Sequence, residues 1–347
     1  MGVQSKSMSA IDLTKFIFAI LVVSIHTNPL EAYTEFGNWF LIDVVAGLAV
    51  PFFFMASGYF LFSKLIYENG KIKKCKENFS RFKKYYLRIF LLYFIWSIIY
   101  LCWQIPEWIY LDWFSFNAIK DYLLSAVASG SYYHFWYILS LLYVIPIMYF
   151  VLRHINVKIY AIIMAVIYVF GVLFYTYGNQ YSPYILIRAW NIFPVPFVSI
   201  LLIMPSVSTC LFIDKLRIKN TTNLLLFVVF YIFFAIESVL FKFYTERTAN
   251  TQYALLIVPT IFFLFSWVKK CDLHISNQTS VFLRNMSSIV YLAHPMVMNL
   301  LGLAIAKDNI NCTLYFVIVT IATLMLAFSL SFINLKFKGI KFLNYLM

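Results

Sequence analysis

The sequence predicts an all-α polytopic membrane helix bundle of about ten transmembrane helices, and three observations carry that reading. Hydrophobic residues make up 63% of the 347 positions and charged residues only 12%, against roughly 25% charged in an ordinary soluble domain. Apolar runs of spanning length recur from one end of the chain to the other. The basic residues between those runs fall predominantly on one side. The mean hydropathy of +0.83 leaves more apolar surface than a water-soluble core would hide. The first apolar run is no cleaved leader: it is long, carries Lys15 and His26, and is followed by no small-residue cleavage site.

Taken in order, the apolar runs cover 10–30, 40–63, 85–105, 134–153, 157–177, 186–206, 223–243, 252–268, 287–306 and 313–335. Each is close to the roughly 20 residues that cross a bilayer core. With a cytoplasmic N-terminus, the inside segments are the N-terminus, 64–88, 153–158, 214–219, 269–286 and the C-terminal tail. These hold 22 of the 27 basic residues, Lys15 included, and the outside holds Lys120, Arg188, Lys242, Arg247 and Lys307. This positive-inside bias places both termini in the cytoplasm and makes the net charge of +13 mostly a record of topology. The densest basic block runs from Lys71 to Arg88. It suits anionic headgroups of the lipid bilayer rather than nucleic acid, and it equally suits the phosphates of a cytosolic ligand.

The outer segment 106–133 carries Trp108, Tyr110, Trp113 and Phe116. It reads as an interfacial amphipathic helix or a partly re-entrant loop, in the manner of aromatic belts that sit at headgroup depth without binding anything. The five cysteines show neither C-x-x-C nor metal spacing, and no Gly-rich phosphate loop, nucleophile elbow or H-E-x-x-H is present. The sequence therefore gives no sign of a metal or a permanently bound cofactor, and the expected organisation is a single transmembrane domain over 1–347.

Chemistry concentrates in the polar residues of the spans. Lys15 and His26 are eleven residues apart, which is three helical turns plus roughly 20°, so they share a face about 16 Å apart along the axis. Asp12 lies three residues before Lys15 and near the same face. Asp43, His134, Arg188 with Asn191, Glu237 and His294 fall at outer-to-middle depth in other spans. Ionisable groups inside a membrane are costly and tend to line polar pathways or sites, so these residues are expected to share one cavity with His26. A plainer alternative has Lys15 snorkelling to the headgroups, His26 capping its helix, and Arg188 and Glu237 forming a structural ion pair. A histidine oriented by a carboxylate, together with a cation for an anionic group, fits acyl transfer or recognition of a zwitterion.

Several motifs resemble those of the acyltransferase-3 family. The first span carries Lys15-x10-His26, similar to the family's basic residue, ten residues, then His. The second carries Pro51-Phe52-Phe53-Phe54 and Ser57-Gly58-Tyr59. Tyr133-His134-Phe135-Trp136-Tyr137, Arg188-Ala189-Trp190-Asn191 and Tyr291-Leu292-Ala293-His294-Pro295 follow in family order. The resemblance covers essentially the whole chain. It implies transfer of an acyl group, usually acetyl from cytosolic acetyl-CoA or another acyl-CoA, to a hydroxyl of a cell-envelope saccharide, in a bacterial plasma membrane. It assigns catalysis to His26 with its basic partner Lys15, to which Asp12 is added by its place on the same face, and together with the shared depth of the polar groups it points to Ser57, Asp43, His134, Arg188, Asn191, Glu237 and His294 for substrate binding. Lys15 stands where the family usually has Arg, which keeps the charge and loses the planar fork. The first two spans also resemble the membrane half of vancomycin-resistance serine racemases. That resemblance implies uptake of serine or another small substrate, and a chain that is either free-standing or the membrane half of a longer protein.

Overall fold

The computed structural model describes residues 8–174, 188, 191–244, 253–304 and 311–336. Arg247, Lys307, the terminal segments 1–7 and 337–347, and the start of the sixth apolar run lie outside the described residues. The elements are α1 (Ser9–Thr27), α2 (Glu35–Trp39), α3 (Ala49–Phe62), a short hairpin of β1 (Tyr67–Glu68) and β2 (Lys71–Ile72), α4 (Lys76–Tyr110), α5 (Phe116–Ala128), α6 (Trp136–Leu152) and α7 (Val157–Val172). Then come α8 (Pro194–Val198), α9 (Met204–Ser208), α10 (Asn220–Tyr244), α11 (Ile257–Lys270), α12 (Asn277–Ala304) and α13 (Cys312–Lys336). Turns of π-helix over 40–45 and 199–203 join α2 to α3 and α8 to α9. The protein is an all-α membrane protein, and among the described residues the two-residue hairpin is the only sheet.

Each apolar run meets a helix. Among the described residues eight helical stretches are long and apolar enough to cross a membrane, while α7 and α11, with 16 and 14 residues, are shorter than a full crossing. Helix α4 has 35 residues, about 52 Å at 1.5 Å each, so it outruns both the expected 85–105 and a ~30 Å hydrocarbon core. Its extra turns carry Lys76, Lys83 and Lys84, good helix formers whose stems reach out of an apolar zone. Pro106, Pro146 and Pro295 sit inside α4, α6 and α12, as membrane helices tolerate.

Two compact units divide the chain, residues 1–53 with 218–347 and residues 54–217. In the first unit α1 packs chiefly against α12, with α11 and α13 alongside. Asn28, left-handed at φ 50°, closes α1 by donating its N–H to the Ser24 carbonyl. Two contacts fix the register of α1 and α12: Asp12 with Ser280 and His26 with His294. The second lies 14 residues beyond the first on both helices, so the two helices run parallel. Parallel membrane helices require an odd number of crossings between them. Among the described residues five of the long apolar stretches lie between them, an odd number. Helix α13 starts beside the end of α1, where Cys312 and Thr313 donate to the Pro29 carbonyl.

In the second unit α4 packs on α6, and α7 on α9. The Ser57-Gly58-Tyr59 run has a packing role there. A Cβ on Gly58 would fall 2.5 Å from Val207, so only glycine lets α3 approach α9 this closely. The Tyr59 hydroxyl donates to Asp214 at 2.9 Å.

Candidate functional site

The α1–α12 seam is the polar centre of the first unit. At its lower end the Ser280 hydroxyl donates to Asp12 Oδ2 at 2.7 Å, in a setting where Asp12 is 3% exposed. Asp12 Oδ1 is buried without a hydrogen-bond partner among the described residues. Fourteen residues on, roughly 21 Å along the axis, the imidazoles of His26 and His294 stack with centroids 5.1 Å apart and planes at 28°. His294 is fully buried. Its Nδ1 lies 3.0 Å from the Val290 carbonyl and 2.9 Å from that of Tyr291. Both partners are acceptors, so Nδ1 carries the proton and, in the neutral ring, Nε2 keeps its lone pair. Two charged imidazoles this close would repel strongly in a low-dielectric surrounding, so the pair works with at least one ring neutral. Lys15 is half-buried on the same helix, one turn above Asp12 and three below His26.

Arg284 joins this seam without any signal in the sequence pattern. It fell among the inside residues 269–286, but α12 begins at Asn277 and carries it one turn beyond Ser280. Lys15 is three residues past Asp12 and Arg284 four past Ser280, so the parallel register puts the two cations at nearly one depth, within about 1.5 Å. Arg284 Nε is buried with no hydrogen-bond partner among the described residues.

Two further predicted residues lie in the first unit. Asp43 is half-buried on the π-helical turn 40–45. Glu237, on α10, accepts the backbone N–H groups of Leu255 at 2.8 Å and Leu256 at 3.0 Å. Its carboxylate thereby satisfies donors at the start of α11 and sits at the positive end of that helix. Nearby, Lys242 pairs with Glu35 at 3.2 Å and lies over the Trp39 ring.

The remaining predicted residues belong to the second unit. The Ser57 hydroxyl pairs with the Tyr137 hydroxyl at 3.0 Å, and the Ser57 carbonyl accepts from Tyr85 at 2.7 Å. His134 is 2% exposed and boxed by Tyr100, Tyr132, Tyr133 and Phe135, with ring centroids 4.2–5.7 Å away. Arg188 and Asn191 are helical and exposed. The structure thus joins His26 to His294 and Asp12 to Ser280, with Lys15 and Arg284 on the same seam. It gives Glu237 a capping role, and it seats His134 and Ser57 in the second unit. Among the described residues no group of three or more His, Cys, Asp or Glu is arranged to hold a metal ion.

On the cytoplasmic side of the topology expected from the sequence, Lys215 of the second unit lies over the Tyr67 and Phe212 rings, 5.9 and 5.2 Å from their centroids. Burial, and after it the charge of Lys158, holds the Lys215 ammonium below its ordinary pKa. A cation held this way gains from an anion that neutralises it.

Residues 8–332 match the acyltransferase-3 family, described as an acyltransferase domain. An amino-acid racemase of Enterococcus faecalis is 26% identical over 95% of this chain and 46% of its own length. A second amino-acid racemase of that organism is 30% identical over 51% of this chain and 23% of its length. A serine/alanine racemase of Enterococcus gallinarum is 30% identical over 38% of this chain and 18% of its length. This chain therefore spans less than half of each of these relatives. No solved structure matches.

Proposed function

This chain belongs to the acyltransferase-3 family of multi-pass membrane acyltransferases, and from that premise we propose that it moves an acyl group, acetyl in the simplest case, from acyl-CoA to a hydroxyl of a cell-envelope saccharide at a bacterial plasma membrane. The observation that supports this most is the stacked His26–His294 pair on a buried seam with one tautomer fixed. In this reading His26 is the general base: it takes the proton of the acceptor hydroxyl as that oxygen attacks the thioester carbon. The C–S bond breaks, the CoA thiolate leaves, and His26 returns the proton to it. Acceptor alcohol and thioester thus become ester and thiol. His294 limits the positions open to the His26 ring.

Lys15 is about 16 Å from His26 along α1, too far to touch the reacting carbon. With Arg284 at the same depth it serves the anionic part of the donor. Asp12, held by Ser280, anchors the lower seam and keeps the Lys15 turn in register.

A second reading has one specific support: the three relatives above are racemases. In it the chain handles serine or a similar amino acid as the membrane part of such an assembly. The test is direct. The purified protein in lipid nanodiscs is titrated with acetyl-CoA and, separately, with serine, and thiol release is followed with an oligosaccharide acceptor. Acetyl-CoA binding and acceptor-dependent thiol release support acyl transfer. Saturable serine binding with no binding of acetyl-CoA overturns it.

A further inference from the structure

The second unit has a hollow of about 590 Å³ at the corner of α4 and α5, within the roughly 300–1,000 Å³ of small-molecule sites. Helical periodicity builds two of its walls. Gln104 and Trp108 stand one turn apart on α4, while Ala118, Asp121, Tyr122, Ser125 and Ser129 follow an i, i+3, i+4, i+7, i+11 stripe running from α5 into the turn beyond. Trp113, on the turn that folds back to bond the Trp108 carbonyl at 2.7 Å, supplies the rim.

The back wall is rigid. Gly130 at φ 109° makes a turn in which a Cβ would fall 3.0 Å from the Trp136 nitrogen, so a side chain there is excluded. The Ser131 hydroxyl, next to it, pairs with the Ser97 hydroxyl at 2.6 Å, its backbone N–H donates to the Tyr93 hydroxyl at 3.0 Å, and Tyr122 donates to the Ser97 carbonyl at 2.5 Å. The Tyr122 ring, with Trp108 edge-on to it at 6.1 Å, is therefore held in place before anything binds, which lowers the ordering cost of binding.

The lining chemistry selects a ligand. Flat aromatic faces take an apolar ring face, and a carboxylate, an amide and hydroxyls at the edges take hydroxyls in both donor and acceptor senses. Among the lining residues Asp121 is the one acidic side chain, and no Lys, Arg or His is present. A carboxylate or phosphate on the ligand would find no cation and would face Asp121. A bare organic ammonium would use Asp121 and the rings but leave Gln104 and the serine hydroxyls without a role.

We propose that this hollow is a docking site for uncharged sugar rings, which recruits the acceptor and rejects uronic and other acidic sugars. The proposal rests on the saccharide-acceptor reading above, but the site binds without turnover, so the two can fail separately.

The test uses the full chain in nanodiscs without acyl donor, with saturation-transfer NMR and thermophoresis as readouts. The ligands are a neutral glucose trimer, an N-acetylhexosamine trimer, a uronic-acid trimer of the same length, choline and serine. A neutral trimer should bind at least tenfold more tightly than the uronic-acid trimer. Trp113→Ala should weaken that binding at least tenfold, and Asp121→Asn should narrow the gap between neutral and acidic trimers. Trp113 and Asp121 are both exposed, so these variants fold. Sugar binding by His26→Ala, whether or not it transfers acyl groups, locates the site apart from the chemistry. Failure of both neutral trimers to bind, equal binding of the acidic one, binding unchanged by Trp113→Ala, or binding of choline alone each overturns the proposal. If the protein instead proves to handle serine, neutral-sugar binding lost in Trp113→Ala still stands for the hollow.

Discussion

Along the α1–α12 seam the polar groups are buried and meet one another, Asp12 with Ser280 and His26 with His294. At the α4–α5 corner the polar groups instead stand open around a hollow, with aromatic faces beside them. Histidine shows the contrast most sharply. His26 and His294 stack and one ring nitrogen has its proton assigned by two carbonyls. His134 is enclosed by four aromatic rings behind the hollow. The first setting suits moving a proton, because a neutral ring keeps a lone pair in a dry site. The second suits holding a wall in shape.

The largest expected effect follows from this difference. His26→Ala should lower acyl transfer by about 10² to 10⁴ while leaving membrane insertion intact, measured as thiol release per folded molecule. His134→Phe keeps the aromatic packing and should cost no more than roughly tenfold, the scale of one hydrogen bond. Comparable losses in the two variants would erase the distinction between the seam and the wall. Next in size is Lys15. Losing one charged contact to the donor is worth about 1.5–3 kcal/mol, so Lys15→Met should raise KM for acyl-CoA by roughly 10- to 150-fold, and Lys15→Arg should restore it. Equal activity in both variants would leave Lys15 a headgroup anchor.

How much of this was legible beforehand differs between the two regions for a physical reason. Hydropathy is a local property, so the apolar runs appear one by one in the sequence and each meets a helix. Helix face is local too, which is why Lys15, His26 and Asp12 could be placed together on α1. Register between helices far apart in the chain is not local. Nothing in the pattern around Ser280 or Arg284 announces that they lie opposite Asp12 and near the depth of Lys15. Arg284 was hidden further because a basic residue just before an apolar run reads as a loop, whereas α12 starts seven residues earlier. The outer segment is a different case: its Trp and Tyr residues match a headgroup belt, and the i, i+3, i+4 stripe of α5 beside Gln104 and Trp108 of α4 adds a hollow that pattern alone does not announce.

The lower end of the seam gives a smaller effect. Ser280→Ala removes the one hydrogen bond that Asp12 receives from α12 and leaves both of its oxygens short of partners in a site that is 3% exposed. A stability loss of about 1.5–3 kcal/mol is expected, read from thermal unfolding in detergent. Ser280→Thr keeps the hydroxyl and should lose less. If the seam anchors the Lys15 turn, KM for acyl-CoA rises in the Ala variant and kcat moves little.

The smallest effect belongs to Glu237, and it separates two roles that sequence alone could not. As a cap, its carboxylate satisfies the Leu255 and Leu256 N–H groups ahead of α11, where the helix dipole favours negative charge. Removing a cap costs about 0.5–2 kcal/mol, so Glu237→Ala should lower unfolding stability by that amount. Glu237→Gln retains an acceptor oxygen, loses the charge, and should fall between the two. Activity per folded molecule should stay near wild type in both variants, because the cap acts through the fold. As a substrate ligand, the same residue would behave in the opposite way: Glu237→Gln would leave stability almost unchanged and raise the acceptor KM. Measuring both quantities on both variants decides between them. A KM change without a stability change would move Glu237 from the framework of the first unit into its site.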